Sequence, residues 1–239
     1  MTGTLINVGG ILIGSLIGLS LKRGIPEKIS SAIIKALGLA VLLIGLNGVL
    51  TSMLFVDPAT GRLHETGGLI LVISLAVGCA VGEILKIDDH MNGICGRIEK
   101  RLGASDFAKG FISATLVFVI GAMGIVGALN DGLTGDSNIL ITKAVMDLIT
   151  SIILASSLGA GVLFAAIPVL VYQGAISLLA GVISPYVSDD LIKMFSMVGY
   201  ALVMMIGINF IFKEVLKVAN LLPALIIPII WYYVSLMIA

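Results

Sequence analysis

Lys143 and Asp147 stand one helical turn apart inside an otherwise apolar run, residues 138–159. Ionisable groups at such depth in a bilayer cost roughly 2.5–3.5 kcal/mol each on insertion scales, so they face a protein interior or a water-filled path. At i, i+4 the two can pair, although Lys before Asp is the weaker order for the helix dipole. Counted from Asp136, Lys143 falls at i+7 and Asp147 at i+11. At 100° per residue the three lie within roughly 40° of arc, and Asp147 sits roughly 13 Å below residue 138, near the bilayer midplane. Thr150 and Ser157 lie near the same stripe. The chemistry on offer is a carboxylate that binds a proton or cation, with Lys143 as counter-charge or anion contact. The competing reading is a structural ion pair that locks neighbouring helices.

Upstream, Asn130-Asp131-Gly132 and Thr134-Gly135-Asp136 have turn chemistry. Asp136, Ser137 or Asn138 is placed to cap the following helix. Gly121, Gly124 and Gly127 recur every three residues just before, and would let backbones approach a solute. Four amides fall inside apolar runs: Asn7, Asn47, Gln173 and Asn209. Each carries donors and an acceptor, for bridging helices or for binding a solute.

Other chemistries find no residues. His64 and His90 fall outside the apolar runs and on opposite sides of them, so no metal site is expected. There is no Walker motif, nucleophile elbow or HExxH helix. The expectation is a protein that is not an enzyme and has no cofactor. Cys79 and Cys95 are too few for a disulfide framework and read as small buried packers.

The elements that must position these residues follow from composition. The hydrophobic fraction is 59%, mean hydropathy is +1.17 and only 12% of residues are charged, against about 25% in soluble domains. That excludes a water-soluble core and predicts an all-α integral membrane protein, one polytopic domain over 1–239. Eight segments have the length of a span: 3–21, 36–55, 67–85, 110–129, 138–159, 161–184, 194–212 and 219–238. The apolar run starting at Thr4 has no basic region before it and reads as a first span rather than a cleavable signal. Leu158-Gly159-Ala160-Gly161 separates the fifth and sixth by a tight glycine turn. Pro168, Pro223 and Pro228 are candidate kinks that free carbonyls.

Lys22, Arg23, Lys28, Lys35, Lys86, Arg97, Lys100, Arg101, Lys109, Lys213 and Lys217 fall in the loops after spans one, three and seven. These are eleven of the fourteen basic residues, so those loops are expected in the cytoplasm. Both termini then lie outside a cytoplasmic (inner) membrane. Residues 86–109 form a basic amphipathic connector, with Ile87, Met91, Ile94, Ile98 and Leu102 at helical spacing for lying along lipid headgroups. Zero net charge leaves no nucleic-acid footprint. The expected partners are the lipid bilayer and a small solute or ion, with a homo-oligomer open.

Internal similarity adds organisation. Gly10, Gly14 and Gly18 make a small-residue ridge that Gly78 and Gly82 repeat in span three, as suits close helix packing. LAVLLIGLN (39–47) resembles ALVMMIGIN (201–209), so Asn47 and Asn209 are related positions. Hairpin one–two thus resembles hairpin six–seven, a shift of five spans that would invert it in the membrane, as in secondary transporters.

MTGTLINVGGILIGSLIG, ALGLAVLLIGLNG, FVIGAMGIVGALNDGLTGD, TKAVMD and YQGAI resemble, over nearly the whole chain, the bacterial multi-pass membrane family called domain of unknown function 554. The resemblance implies a transporter of unassigned substrate, and gives weight to Asp147, Gly121, Gly124, Gly127 and Gln173. The expected function is secondary transport or facilitated passage of a small solute or ion through spans four, five and six. The path would use Asp147, Lys143, Asn130, Asp131, Asp136 and Gln173 with the Asn47/Asn209 pair. The alternatives are a non-transporting scaffold or sensor, and a passive ion channel.

Overall fold

The computed structural model describes residues 1–239 apart from 23–26, 58–59, 103–106, 120–121, 213–214 and 239. Of the residues weighed above, Gly121, Arg23 and Lys213 lie outside the described residues, as do the side chains of Lys22, Cys95, Ile98, Arg101 and Leu102. The protein is an all-α multi-pass membrane protein. Its helices are α1 (Thr2–Lys22), α2 (Glu27–Met53), α3 (Gly68–Leu85), α4 (Ile87–Leu102), α5 (Phe107–Val119), α6 (Ala122–Leu133), α7 (Asn138–Leu158), α8 (Gly161–Phe164), α9 (Ala166–Leu178), α10 (Ala180–Ile183), α11 (Asp189–Phe212) and α12 (Ile227–Ile238). Their large apolar side chains point outward as often as inward: Leu5, Ile13, Leu43, Val72, Ile84 and Val171 are all exposed. Only lipid makes such a surface stable.

Two compact units divide the chain, Met1–Ala36 with Met91–Val187, and Leu37–His90 with Ser188–Ala239. In the first, α1 and α7 make the most extensive pairing. The glycine ridge is the cause. A Cβ on Gly10 would stand 2.9 Å from the Ala144 carbonyl, and one on Gly14 or Gly18 would strike the Leu148 or Ile152 carbonyl. The register rises together on both helices, from Gly3 at Leu140 to Gly18 at Ile152, so α1 and α7 run parallel. Gly159 ends α7 with φ 84°, the left-handed region that glycine enters without penalty.

Among the described residues, seven helical stretches are long and apolar enough to cross a membrane, and α5 with α6, inclined at 61°, makes an eighth if the two act as one span. Their ends argue for one crossing. Gly110 of α5 packs on Leu158 at the end of α7, whereas Asp131 of α6 meets Met1 and Ser137 at the starts of α1 and α7. The pair thus runs the full length of α7. A parallel α1 and α7 also require three crossings between them. The fourth span is therefore a full span, made of α5 and α6 inclined at 61° to each other.

Three local expectations change. Asn130-Asp131-Gly132 is not a turn but the last part of α6, and the turn falls at Thr134. It holds there because Gly132 seats against the Ser177 carbonyl and Ala180, keeping the helix packed through its polar end. Span eight starts as a 3₁₀ helix, Val218–Leu225, with Pro223 inside, before α12. Span six is interrupted at Ala165 and Leu179.

In the second unit, α2 and α11 cross antiparallel at the two similar segments. A Cβ on Gly38 would lie 2.8 Å from the Gly207 carbonyl and 2.9 Å from Phe210, and one on Gly48 would enter the Tyr200 ring. A Cβ on Gly45 would lie 2.8 Å from the Met204 nitrogen, and one on Gly207 2.6 Å from the Leu42 nitrogen. α3 packs on the 3₁₀ segment, Gly78 against Ala224 and Gly82 against Asn220. Asn220 Oδ1 also accepts from the Asp88 backbone N–H at 2.7 Å, fixing the start of α4. A hairpin absent from the sequence reading, β1 (Leu54–Val56) with β2 (Leu63–Glu65), follows α2 and stacks Phe55 on His64. Above it, Ser52, Thr66, Gly67, Ile70, Asp190 and Lys193 help line a cavity of about 270 Å³.

Candidate functional site

The chemistry collects in the first unit, where α1, α6, α7 and α9 meet. Lys143 Nζ donates to Asp147 Oδ2, and both side chains are about nine-tenths buried. α7 runs straight through the bilayer and keeps them one turn apart on the face turned to α1. Across from them, α1 presents Thr4, Asn7 and Ser15, all fully buried. Asn7 Nδ2 donates to Gln173 Oε1 of α9 at 3.1 Å, and the Asn7 side chain lies beside the Asp147 carboxylate. A continuous line results: Lys143, Asp147, Asn7, Gln173. It ends at α6, where the Cβ position of Gly124 lies 3.7 Å from Gln173 Nε2, from the Tyr172 ring and from the Val119 carbonyl. Gly124 is thus buried beside the Gln173 amide near the start of α6, with room for a Cβ at ordinary contact distance.

The line is under-satisfied. Thr4 Oγ1, Asn7 Oδ1, Ser15 Oγ, Ser151 Oγ, Gln173 Nε2 and Ser177 Oγ are buried without a protein hydrogen-bond partner, and so is Tyr172 OH. An unpaired buried polar atom costs about 1–3 kcal/mol. Seven of them would rival the ~5–15 kcal/mol by which whole domains are stable. A seam of this composition is therefore built to be occupied by water or a polar ligand.

The sequence-derived residues divide. Asp147, Lys143, Gln173 and Gly124 come together. Asp131 sits at the end of the same unit where α1 and α7 begin, its Oδ2 2.7 Å from the Met1 α-amino group and its Oδ1 accepting from Ser137 Oγ at 2.8 Å. Asn130 is half-buried on the last part of α6, its carbonyl accepting from Thr134. Asp136 does not share the stripe. It precedes α7, is exposed, and accepts from the Asn138 N–H at 3.0 Å, as a cap. Thr150 also leaves the stripe, its hydroxyl donating to the Met146 carbonyl, and Ser151 takes the place. Gly127 serves packing against Leu140 rather than solute approach.

Asn47 and Asn209 belong to the other unit. Asn47 is exposed on α2. Asn209 donates to the Leu216 carbonyl at 2.7 Å and accepts from its N–H at 2.9 Å, clamping the loop after α11. Within that unit, neighbouring packing rather than repeat position sets where each amide turns. Thr4, Ser15, Ser151, Tyr172 and Ser177 went unremarked in the sequence. Their signal was spacing: Thr4, Asn7, Ile11 and Ser15 share a helical face, as do Gln173 and Ser177.

The family model described as Protein of unknown function (DUF554) matches residues 2–233. The chain belongs to this family. This DUF554 member is 34% identical over 229 residues to "Uncharacterized membrane protein YdfK" of Bacillus subtilis (strain 168), covering 95% of this chain and 94% of that protein. It is 29% identical over 232 residues to "Uncharacterized protein YqgA" of Escherichia coli (strain K12), covering 94% and 93%. No solved structure matches it.

Proposed function

We propose that this DUF554 protein is a secondary transporter or facilitator, not an enzyme, for a small solute or ion in the bacterial cytoplasmic membrane. Its basic loops face the cytoplasm and both termini lie outside. One observation carries the reading: a span bent by 61° between its two helices lies beside a buried, charged and under-satisfied polar seam. Transporters place solute sites at such broken helices, because the interrupted backbone supplies polar groups only where it lines a cavity.

The crossing of α2 and α11 supports an inverted repeat. With 39–47 aligned to 201–209, Gly38 pairs with Tyr200, Leu42 with Met204, Gly45 with Gly207 and Gly48 with Phe210. The contacts come in reciprocal sets: Gly38 meets Phe210 while Gly48 meets Tyr200, and Gly207 meets Leu42 while Gly45 meets Met204. The two similar segments thus pack against each other antiparallel, as copies of opposite orientation in the membrane would.

The scaffold reading draws on the closed Lys143–Asp147 pair, since a packed core also satisfies charges in this way. The unpaired atoms around it favour the path. The test is flux in proteoliposomes loaded with ions and small metabolites. Asp147→Asn should abolish it. Unchanged flux with a lower melting temperature would remove Asp147 from the path, and no flux under any gradient would remove the transporter class.

A further inference from the structure

We propose that the cavity beside the β1–β2 hairpin binds a small apolar α-amino acid, with its ammonium at Asp190 and its carboxylate at Lys193. The site belongs to the second unit alone. It does not depend on the transport reading above.

The cavity changes character with depth. Its volume is about 270 Å³, just below the roughly 300–1,000 Å³ of pockets that take drug-sized ligands, so the ligand is small. Asp190 and Lys193 stand near the start of α11 and are exposed. Met194 is half-buried, and Met197 and Ile70 are buried. From Asp190 to Met197 the helix descends roughly 10 Å. A polar mouth thus gives way to an apolar floor of two thioethers and an isoleucine. Gly67, at φ 85°, keeps the wall beside Met197 free of a side chain: a Cβ there would lie 3.1 Å from Met197 Sδ and Cε. Methionine side chains adapt to irregular apolar shapes. Such a floor suits a side chain the size of leucine or methionine, and its buried residues leave no course for a long acyl chain.

The mouth supplies the polar match. Charges near a helix start are ordinarily solvated and decide nothing alone. Here two of opposite sign line one cavity, three residues apart and so about 5–6 Å between Cβ atoms. Among the described residues neither side chain has an ion-pair or hydrogen-bond partner. An α-amino acid carries its two charges on one carbon, so a single ligand meets both. Its ammonium has three N–H donors, and three groups on the lining can accept. Asp190 offers its carboxylate. Ser52 Oγ and Thr66 Oγ1 already give their protons to the Gly48 and Met53 carbonyls, at 2.7 and 3.4 Å, so their oxygens are left as acceptors. Among the described lining residues Lys193 is the one cation, and it faces the carboxylate. A simple anion or cation would leave one of the two charges uncompensated.

The experiment measures equilibrium binding of tritiated leucine to the full chain in detergent, with methionine, glycine, 4-methylpentanoate and isopentylamine as competitors. The expected result is saturable binding that methionine displaces about as well as leucine. Glycine lacks the apolar side chain, 4-methylpentanoate the ammonium and isopentylamine the carboxylate, so each should compete at least tenfold less well. Asp190→Asn and Lys193→Gln should each weaken leucine at least tenfold without moving the melting temperature, because both side chains are exposed. Asp189→Asn, exposed and outside the lining, should leave binding unchanged. No saturable binding of leucine or methionine to the wild type overturns the proposal. Leucine binding unaltered by Asp190→Asn and Lys193→Gln places the ligand elsewhere and overturns the site. Equal competition by 4-methylpentanoate or isopentylamine overturns the two-charge match. Displacement by short-chain phosphatidylethanolamine at lower concentration than by leucine assigns the cavity to a lipid headgroup and overturns the amino acid.

Discussion

Replacing the charges of Lys143 and Asp147 one at a time and then together gives the sharpest stability test. Each side chain is about nine-tenths buried, so removing one partner strands the other charge in protein. Breaking a buried pair this way costs about 3–5 kcal/mol, whereas exchanging both for apolar side chains is neutral or stabilising by about 1–4 kcal/mol. The two singles should differ. Lys143→Met leaves Asp147 beside the polar Asn7 side chain. Asp147→Leu leaves the ammonium with no carboxylate, so it should be the worse. At about 2–4 °C per kcal/mol for a chain of this size, the singles should melt roughly 6–20 °C lower. The double variant should recover most of the loss. Melting of the detergent-solubilised protein, followed by the fraction that stays monodisperse on size exclusion, measures it. Additive losses in the double variant would refute the pairing, because two interacting buried charges cannot cost the same separately and together. The double variant also isolates function: stable but without flux if the seam is a path, and active if the pair only holds helices together.

Other outcomes follow from the packing. Gly14→Leu should destabilise by about 1–3 kcal/mol or more through overpacking against Leu148 and Ser151, read as the same melting shift, whereas Gly124→Ala should leave melting unchanged. Asn209→Leu removes both bonds to Leu216, at about 1–3 kcal/mol, and should speed proteolysis of the loop after α11. For topology, single cysteines at the exposed positions Asp136 and Arg97 should react with an impermeant maleimide from opposite sides of the membrane, 136 from outside. Labelling of both from the same side would overturn the assigned orientation.

Much of the architecture was legible because bilayers enforce it. Every spanning segment must be helical and apolar, so composition located the spans to within a few residues of α1, α3, α7 and α11. The Gly10–Gly14–Gly18 ridge announced a close helix contact by spacing alone. The i, i+4 interval of Lys143 and Asp147 announced the pair. Legibility stopped where distance along the chain became large. Asn7 and Gln173 are 166 residues apart, and no local pattern says that α1 and α9 meet. The rotation of a helix about its own axis was equally hidden. Asn47 turned outward while Asn7 turned in, although both are amides within apolar runs.

The turn residues around Asn130 show how a local rule is overruled. Asn, Asp and Gly favour turns by propensities worth about 1 kcal/mol or less per residue. Close packing of Gly132 against Ser177 and the bonds of Asp131 to the Met1 amine and Ser137 outweigh that. By itself, then, the sequence determined that the chain crosses a membrane about eight times, which residues carry charge at depth, and that one pair of them could neutralise itself. Those are consequences of solvent and of helical period, which act residue by residue. Only the tertiary structure decided that the pair meets Asn7, Gln173 and α6 in one unsatisfied seam. That depends on which helix faces which, and helix facing is set by packing between segments far apart in the chain.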